Sequence, residues 1–343
     1  MNNKILVIGG GIAGMEAAAE LERMDYKVIL VEKEDKLGGK LLNWDRLFPT
    51  KRLGNEVLDY LKKGVSERIE THVGTTVTKV DKIGDLFNIE LSNGKKDTVA
   101  SVVLTTGYDT FDARKKEEYG YGIYDNVITS ADLEKMFTSK LPIKTSIGST
   151  PKRIAFIHCV GSRDEKVGNI YCSKVCCVTA VKQAIEIKEL LPEAEVFSFY
   201  MDLRMFGMQF EELYKEAQEK HGVTFIRGRL SEACENPDSS ILMKFEDTLL
   251  GKQMKMSVDM MVLMVGFVPA KGSNEMVKLM NLKVSNNGFV KAEDEHTKTN
   301  VSSLTGVFLG GCVSAPRTIA NTITDARAAV LKTHLYVKKL NNN

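Results

Sequence analysis

The chain has 343 residues, of which 43% are hydrophobic and 27% are charged, so it can bury a substantial core and is expected to form two domains. Its formal net charge is only +2, which indicates no nucleic-acid or other polyanionic partner. No charged leader precedes a long apolar stretch and no apolar run is long enough to cross a bilayer, so we expect no signal peptide, no membrane span and a cytoplasmic location.

The first third of the chain alternates strand and helix patterns. The apolar run Ile5–Ile8 predicts a buried strand, Ile12–Met24 a helix and Val28–Val31 a second strand. This βαβ unit implies a parallel sheet. The elements expected next are half-buried strands at Thr75–Asp81 and Leu86–Leu91, a turn at Asn93-Gly94 and an apolar strand at Val102–Thr105 that ends at Gly107.

A second α/β pattern begins at Arg153. Its expected elements are a strand at Ile154–His158, a helix at Ser173–Leu191, a strand at Val196–Tyr200, a helix at Gln209–Lys220, strands at Val223–Ile226, Met260–Val265 and Val307–Leu309, and a helix at Ile319–Lys338. We therefore predict a split nucleotide-binding domain at 1–110 and 265–343, a connection at 111–150 and an inserted α/β domain at 151–264.

A glycine-rich loop links the first strand to the first helix. Its sequence, Gly9-Gly10-Gly11-Ile12-Ala13-Gly14, fits G-x-G-x-x-G, in which the glycines permit a tight turn, close approach to a pyrophosphate and close helix–strand packing. The helix N-terminus offers free N–H groups to phosphates. Glu32 ends the second strand, where a carboxylate can accept hydrogen bonds from ribose hydroxyls. The loop therefore predicts a dinucleotide site rather than a generic glycine turn.

Three further elements favour FAD over NAD. They are Leu37-Gly38-Gly39-Lys40 after the second strand, Thr105-Thr106-Gly107-Tyr108-Asp109 at a strand end, and Gly306-Val307-Phe308-Leu309-Gly310-Gly311 near the C-terminus. In this order they resemble the two-dinucleotide-binding flavoproteins, a family that includes thioredoxin reductases. The resemblance covers most of the chain and implies an α/β, thioredoxin-reductase-like fold in which a split FAD domain holds an inserted second α/β domain.

The resemblance also implies where the flavin binds. The predicted FAD-binding residues are Gly9, Gly11, Ile12, Ala13, Gly14, Glu32, Lys33, Gly38, Gly39, Lys40, Val77, Thr106, Gly107, Gly311, Cys312, Thr318 and Ile319. Lys40 is the candidate for a catalytic charge beside the flavin ring, and a phosphate contact or a surface lysine is the alternative. Cys312 stands where the family usually has Asp, so we expect backbone N–H groups to supply that contact and leave open a reactive or a packed thiol.

The inserted domain lacks the expected nicotinamide motif. Its first strand continues into Cys159-Val160-Gly161-Ser162-Arg163-Asp164, which contains one glycine where relatives that use NAD(P)H have three. No two cysteines have the C-x-x-C spacing of thioredoxin reductases. Both departures disfavour an NAD(P)H-dependent disulfide reductase.

Four of the six cysteines form the pattern C-x(12)-C-x(3)-C-C: Cys159, Cys172, Cys176 and Cys177. In a reducing cytoplasm, clustered cysteines indicate metal or redox chemistry, and four thiolates suit an iron–sulfur cluster. A structural zinc site, four unrelated thiols and a vicinal disulfide at 176–177 are the alternatives, and zinc ligands are usually spaced by two to four residues. Cys234 and Cys312 are expected to be small buried hydrophobes.

Two longer motifs make the resemblance more specific. The cysteine segments, together with Met201-Asp202-Leu203-Arg204-Met205-Phe206-Gly207 and Phe225-Ile226-Arg227-Gly228-Arg229, resemble the A subunit of heterodisulfide reductase. Ala315-Pro316-Arg317-Thr318-Ile319 is similar to that family's C-terminal flavin element. The methanogen form carries ferredoxin-type cysteine runs that are missing here, and Leu42-Asn43-Trp44-Asp45-Arg46-Leu47-Phe48-Pro49 is most similar to the short A subunit of the heterodisulfide-reductase-like complex of sulfur oxidisers.

This resemblance implies an electron-transfer subunit that holds FAD and a [4Fe-4S] cluster at Cys159, Cys172, Cys176 and Cys177. It also implies B-like and C-like partner subunits, a lipoate-binding protein as sulfur carrier, and a homodimer. The alternatives are the flavoprotein subunit of the quinone-interacting oxidoreductase of sulfate reducers, a free-standing NAD(P)H-dependent disulfide reductase and a non-catalytic assembly protein. His158 is expected to be a packed residue, and Arg204 to pair with a phosphate, a partner acid or a neighbouring carboxylate.

Overall fold

The computed structural model describes residues 2–342, which form helices and strands in alternation. The helices are α1 (Ile12–Arg23), α2 (Gly54–Gly64), α3 (Ser130–Thr138), α4 (Cys176–Leu190), α5 (Phe210–Lys215), α6 (Lys271–Met280) and α7 (Ile319–Asn342). The strands are β1 (Lys4–Ile8), β2 (Lys27–Val31), β3 (Arg46–Leu47), β4 (Arg52–Leu53), β5 (Glu70–His72), β6 (Val77–Ile83), β7 (Leu86–Leu91), β8 (Lys96–Val99), β9 (Ser101–Leu104), β10 (Tyr108–Thr110), β11 (Val127–Thr129), β12 (Arg153–Val160), β13 (Glu195–Tyr200), β14 (Thr224–Glu235), β15 (Ile241–Asp247), β16 (Lys252–Val258), β17 (Met260–Val265), β18 (Phe267–Pro269), β19 (Ala292–Asp294), β20 (Lys298–Ser302) and β21 (Val307–Leu309).

The chain divides into two units, each of which is discontinuous in sequence. The first unit contains residues 1–42, 54–109 and 268–343, and the second contains residues 43–53 and 110–267. The segment 111–150, which we expected to be a connection, contains strand β11 and helix α3 and lies in the second unit. Helix α3 begins there because Thr129 and Asp132 form a capping box, in which each side chain bonds the other residue's backbone N–H.

The first unit is built on a seven-stranded sheet in the order β19-β20-β21-β9-β1-β2-β5. Strand β1 pairs in parallel with β2 and β9, so it lies in the middle and is apolar on both faces. Ile5 and Val7 face the core formed with helices α1 and α7, whereas Leu6 and Ile8 face the core formed with α6 and the three-stranded sheet β6-β7-β8. The end of β1 is therefore held between two packed layers.

The second unit contains another seven-stranded sheet, in the order β11-β17-β12-β13-β14-β15-β16. Its first five strands are parallel, and β14, β15 and β16 form an antiparallel extension. Strand β12 occupies the position that β1 has in the first unit, and helix α4 connects it to β13. Strands β15 and β16 were not predicted, and β14 continues nine residues beyond the predicted strand end at Ile226.

Helix α4 begins at Cys176, three residues later than the predicted start at Ser173. Lys174 has a φ of +67°, which an α-helix does not accommodate. Ser173 also directs its Oγ to the backbone N–H of Phe267, at 2.8 Å, instead of starting the helix. As a result Cys172 lies in the loop before the helix.

None of the helices between residues 2 and 342 has both the length and the apolar character needed to cross a membrane.

Candidate cofactor sites

The glycine loop after β1 has the backbone geometry that a pyrophosphate site needs. Gly9 has a φ of +107°, and a Cβ there would lie 2.6 Å from the carbonyl oxygen of Thr105. A Cβ on Gly14 would lie 1.7 Å from the carbonyl oxygen of Gly9, so only glycine allows α1 to pack this closely on the turn. Gly11 is the N-cap of α1, and a Cβ on it would have only the Cα of Gly39 nearby, at 3.9 Å. The free N–H groups of the helix start are therefore accessible to an anion.

Glu32 lies beside this loop and is 6% exposed. Its carboxylate accepts hydrogen bonds from the backbone N–H groups of Gly10, at 2.5 Å, and Glu34, at 2.9 Å. These two bonds fix the carboxylate at the end of β2. A carboxylate can accept about four hydrogen bonds, so it retains capacity for ribose hydroxyls.

The second glycine pair faces the first. Gly39 has a φ of +54°, and a Cβ on it would lie 3.0 Å from the Cα of Gly11. Lys40 follows, 47% exposed, with its Nζ 3.3 Å from Asp109 Oδ1. Lys40 thus has a carboxylate partner on the strand-end segment that was predicted to contact the flavin, and the choice between a flavin contact and a surface lysine stays open.

The C-terminal element is organised by a residue that the sequence patterns did not indicate. Asp325, on α7, accepts a hydrogen bond from the backbone N–H of Gly311 at 2.8 Å and pairs with Arg317 at 3.2 Å. Arg317 also donates to the carbonyl oxygen of Gly311, at 2.7 Å. Cys312 is buried, its Sγ lies 3.7 Å from Thr322 Oγ1, and burial raises its pKa. These contacts favour the packed thiol over the reactive one.

The other predicted flavin residues all belong to the first unit. Four of them lie at helix starts: Ile12 and Ala13 begin α1, Ile319 begins α7, and Thr318 caps α7 by accepting a hydrogen bond from the backbone N–H of Asn321. Val77 is buried at the start of β6, Lys33 is exposed after β2, and Thr106 Oγ1 lies 2.6 Å from Ser273 Oγ. Gly38 and Gly107 have positive φ values, +129° and +73°. Their roles toward FAD stay predictions.

The cysteine segments meet at the end of β12 in the second unit. Cys159 lies at a bulge in that strand, with a φ of +59°, and Cys176 and Cys177 are the first two residues of α4. Cys172 lies in the loop between them. Free N–H groups and the positive end of the α4 dipole are therefore next to two of the four thiols.

The four thiols lie within electrostatic reach of one another. Burial, and after it the charge of Cys177, raises the pKa of Cys159 to about 12. Burial and the charges of the other three thiols raise the pKa of Cys176 well above its usual range, and burial raises that of Cys177. These shifts favour the protonated form of Cys159, Cys176 and Cys177, whereas a bound metal centre would hold its ligands as thiolates.

Backbone N–H groups already point at two of the sulfur atoms. The N–H of Lys174 donates to Cys172 Sγ at 3.3 Å, and the N–H of Arg204 donates to Cys177 Sγ at 3.4 Å. The expected side-chain role of Arg204 remains a prediction, whereas its backbone belongs to this site. Donors of this kind stabilise thiolate charge.

Charged side chains from the two family motifs surround the same loop. Asp202 accepts from Arg163 Nη2 at 2.7 Å and lies 3.7 Å from Arg227. Asp164, 2% exposed, pairs with Lys116 at 2.8 Å and with Arg229 at 3.4 Å. The segments 201–207 and 225–229 thus hold the cysteine loop by ion pairs.

Two serines close the loop from inside. Ser162 Oγ accepts a hydrogen bond from the backbone N–H of Ser173 at 3.0 Å and lies 3.0 Å from Ser173 Oγ. A Cβ on Gly161 would lie 2.0 Å from the ring of Phe111, so the turn is filled by protein atoms. This packing leaves the loop unlike the open glycine loop of the first unit.

All six cysteines are free thiols, and Cys234, predicted to be buried, is exposed on β14. His158 is buried as expected, with its Nε2 2.8 Å from Ser198 Oγ, and burial lowers its pKa to about 4. Within residues 2–342, no three His, Cys, Asp or Glu side chains are arranged to hold a single metal ion.

A separate buried polar cluster lies on α4, beyond the cysteines. Lys182, 1% exposed, bonds Glu134 of α3 and lies 2.8 Å from Glu186 Oε2. Its Nζ also lies 5.3 Å from the ring centre of Trp44. Burial raises the pKa of Glu186 to about 7, with Lys182 acting to lower it and Glu134 to raise it further.

Comparison with known proteins gives a family match and several relatives. Residues 1–157 and 176–330 match the family described as pyridine nucleotide-disulphide oxidoreductase. The A subunit of the H(2):CoB-CoM heterodisulfide,ferredoxin reductase of Methanothermobacter marburgensis is 34% identical over 97% of this chain and 63% of its own length. The iron-sulfur A subunit of the CoB--CoM heterodisulfide reductase of Methanocaldococcus jannaschii is 31% identical over 96% of this chain and 63% of its own length. The chain therefore spans less than two thirds of these relatives.

Solved structures share the architecture at low identity. The thioredoxin reductases of Lactococcus lactis and T. acidophilum superpose with TM-scores of 0.69 and 0.66, each at 17% identity over 98% of this chain and 99% of theirs. These matches confirm the predicted two-dinucleotide-binding fold, the resemblance to the A subunit of heterodisulfide reductase, and the oxidoreductase class.

Proposed function

Because this chain belongs to the pyridine nucleotide-disulphide oxidoreductase family, we propose that it is an electron-transfer subunit that holds FAD and a [4Fe-4S] cluster. Its place is in a heterodisulfide-reductase-like complex of cytoplasmic sulfur oxidation. B-like and C-like subunits would complete the reaction, a lipoate-binding protein would carry the sulfur, and the protein would be a homodimer. The similarity to A subunits of heterodisulfide reductases supports this assignment.

One observation supports the cluster: the four cysteine thiols lie within electrostatic reach of one another, and two of their sulfurs accept backbone N–H bonds. The family match stops at residue 157 and resumes at residue 176, so the loop with Cys159 and Cys172 departs from the family pattern. One relative is itself named an iron-sulfur subunit. Four thiolates are the usual ligand set of a four-iron cluster.

The flavin site is supported by the glycine loop, the opposing Gly39 turn and the fixed Glu32 carboxylate. Gly11 and the start of α1 offer N–H groups to the pyrophosphate, and Glu32 would orient the ribose. Asp325 holds Gly311 in place, so the backbone beside Cys312 is oriented without the family's usual aspartate. These residues would bind and orient FAD, and their contacts with it would not depend on the Cys312 thiol.

A flavin accepts two electrons together and releases them singly, whereas an iron–sulfur cluster carries one at a time. The protein's own contribution is to bury Cys176 and Cys177 and to place N–H donors and positive charge around the sulfurs. Burial excludes water from the sulfurs, and the donors favour their anionic form. A chain with these two sites would convert two-electron into one-electron transfer and pass the electrons to a partner subunit.

The loop after β12 argues against a nicotinamide site at the usual position. Where a second glycine fingerprint would approach a pyrophosphate, the ring of Phe111 covers Gly161 and the Ser162–Ser173 bonds fill the turn. This packing supports the relay subunit over a free-standing NAD(P)H-dependent disulfide reductase.

Anaerobic purification with iron, sulfide and flavin analysis tests the proposal. We expect about four irons and one FAD per chain. Cys176→Ser should lose the iron and retain FAD, because Cys176 is buried among the other three thiols and lies in the other unit from the glycine loop. Cys234→Ser, at an exposed thiol on β14, is the matched control and should retain both.

An iron-free yellow protein that oxidises NADH rapidly would contradict the proposal and establish the disulfide reductase instead. Zinc in place of iron would reject the cluster. If iron is bound but no donor reduces the flavin, the protein has an assembly role. Reduction of a quinone analogue by the reconstituted complex would favour the sulfate-reducer alternative.

A further inference from the structure

Arg163 is a charged residue beside the cysteines whose two terminal nitrogens have different surroundings. Nη2 donates to Asp202 Oδ2 at 2.7 Å. Nη1 is buried and has no hydrogen-bond partner among the described residues. Burial raises the pKa of Cys159, and the positive charge of the Arg163 guanidinium acts against that rise, so the guanidinium lies within electrostatic reach of this sulfur.

The backbone holds Arg163 in this place at a cost. Its φ of +55° is left-handed, a conformation that is unfavourable for residues other than glycine. Its N–H is fixed to the carbonyl oxygen of Tyr171 at 2.9 Å. Cys159 and Lys174 are left-handed too, with φ of +59° and +67°. Residues with strained backbone angles occur mostly at functional sites, where the surrounding structure holds them in place.

A buried guanidinium N–H without a hydrogen-bond partner is unfavourable, and more so because the group is charged. In this loop an anionic sulfur is the acceptor that would relieve that cost. The four thiolates and the sulfides of an iron–sulfur cluster carry net negative charge, which a neighbouring cation stabilises.

We propose that Arg163 is a positioning residue for the cluster: its Nη1 donates a hydrogen bond to a cluster sulfur, and its charge raises the cluster's reduction potential. This inference rests on the proposed function. Asp202 fixes the guanidinium and offsets part of its charge. The two residues therefore shift the reduction potential in opposite directions. The positive charge of Arg163 favours the reduced, more negative cluster, and the negative charge of Asp202 favours the oxidised one.

An anaerobic redox titration of the holoprotein, followed by the EPR signal of the reduced cluster, tests this assignment. Arg163→Gln should move the one-electron equilibrium at least tenfold toward the oxidised form, a decrease of about 59 mV. Asp202→Asn should shift the potential in the opposite direction, because it leaves the charge of Arg163 uncompensated. Arg163→Lys keeps the charge and should recover most of the wild-type potential.

Arg153→Gln is the matched control, since Arg153 forms the same kind of ion pair at the other end of β12, with Glu195 at 2.6 Å. Cys159 is six residue steps along the strand from Arg153, roughly 20 Å away, which exceeds the Debye length of about 10 Å at ordinary ionic strength. Its potential should match that of the wild type.

Equal potentials in the wild type, Arg163→Gln and Asp202→Asn, at full iron content, would overturn the inference and leave the proposed function intact. A wild-type protein without iron would instead refute the proposed function. If Arg163→Gln alone loses iron, the opposite-sign shift in Asp202→Asn and the recovery in Arg163→Lys still decide the role of the charge.

Discussion

The two units use the same topological position in different ways. In the first unit, three residues, 9–11, lead from β1 into α1. In the second, fifteen residues, 161–175, lead from β12 into α4. The short turn is glycine, and the long one contains serine, charged residues and a cysteine.

The difference lies in what supplies the contacts. Gly9 takes a φ of +107° without strain and leaves backbone N–H groups exposed to a ligand. Cys159, Arg163 and Lys174 take left-handed φ values, which are unfavourable for residues other than glycine. The backbone N–H of Lys174 donates to Cys172 Sγ, and Arg163 pairs with Asp202. A strand end in this fold can thus present either bare backbone, as in the glycine loop, or thiols and charged side chains, as in the cysteine loop.

The glycine loop should break most severely. Gly14→Ala places a Cβ 1.7 Å from the carbonyl oxygen of Gly9, so we expect a loss of about 3 kcal/mol in unfolding free energy and the loss of FAD. Flavin content and thermal unfolding measure both effects. Gly272→Ala, also in a helix and with nothing within 4 Å of its Cβ, should retain the flavin and should not lower the stability, because alanine is the better helix former. Equal behaviour of the two variants would show that the turn does not need glycine.

The second largest effect is a pH dependence of the stability that arises from Glu186, a buried carboxylate on the cysteine-bearing helix α4. The pKa of Glu186 is raised from 4.5 to about 7, so its contribution to stability is complete below pH 4.5 and is lost as the pH rises through 7. The loss is at most about 3 kcal/mol. Glu186→Gln should flatten this part of the stability profile in denaturant titrations. If the unfolding free energy of the wild type changed between pH 5 and 8 in the same way as that of Glu186→Gln, the assignment would be contradicted.

A smaller effect is expected when Cys159 is replaced by glycine or by alanine. Cys159→Gly and Cys159→Ala both remove the thiol and should both abolish iron binding. In the iron-free proteins, however, the glycine variant should be more stable by about 1 kcal/mol, because its backbone accepts the φ of +59°. Urea unfolding of the two variants measures the difference. Greater stability of the alanine variant would mean that the turn is not left-handed in solution.

The smallest effect is expected at Lys40. Its partner Asp109 is 3.3 Å away and Lys40 is half exposed, so Lys40→Gln should change the stability by less than about 0.5 kcal/mol. If Lys40 lies beside the flavin ring, the flavin potential should nevertheless decrease. An unchanged potential would identify Lys40 as a surface residue.

The sequence was most informative where short-range chemistry dictates structure. The apolar run of β1, followed by Gly9 and Gly14, predicted the strand, turn and helix because each residue type has one local reason to be there. Strand β12 and the buried helix α4 followed from periodicity in the same way. The position of Cys159 at a strand end was predicted for the same reason.

Long-range partners were not predictable. Asp325 is 14 residues from Gly311, and nothing local indicates that its carboxylate bonds that backbone N–H. The start of α4 was placed too early because Lys174 carries no sequence signal for its left-handed φ. Strands β15 and β16 were not predicted, because Leu242 interrupts the apolar–polar alternation of Ile241, Met243 and Phe245 that would indicate a half-buried strand.

The second unit includes residues 43–53, which the chain provides between two segments of the first unit. Trp44 covers Lys182, Arg46 pairs with Glu189 at 2.6 Å and Lys51 pairs with Glu216 at 2.7 Å, so this hairpin belongs to the packing of α4 and α5. The second unit is therefore not encoded by one continuous stretch of the gene and cannot be removed or transferred as a single segment. Recombination between proteins of this architecture must exchange both pieces together, which couples the evolution of the two halves.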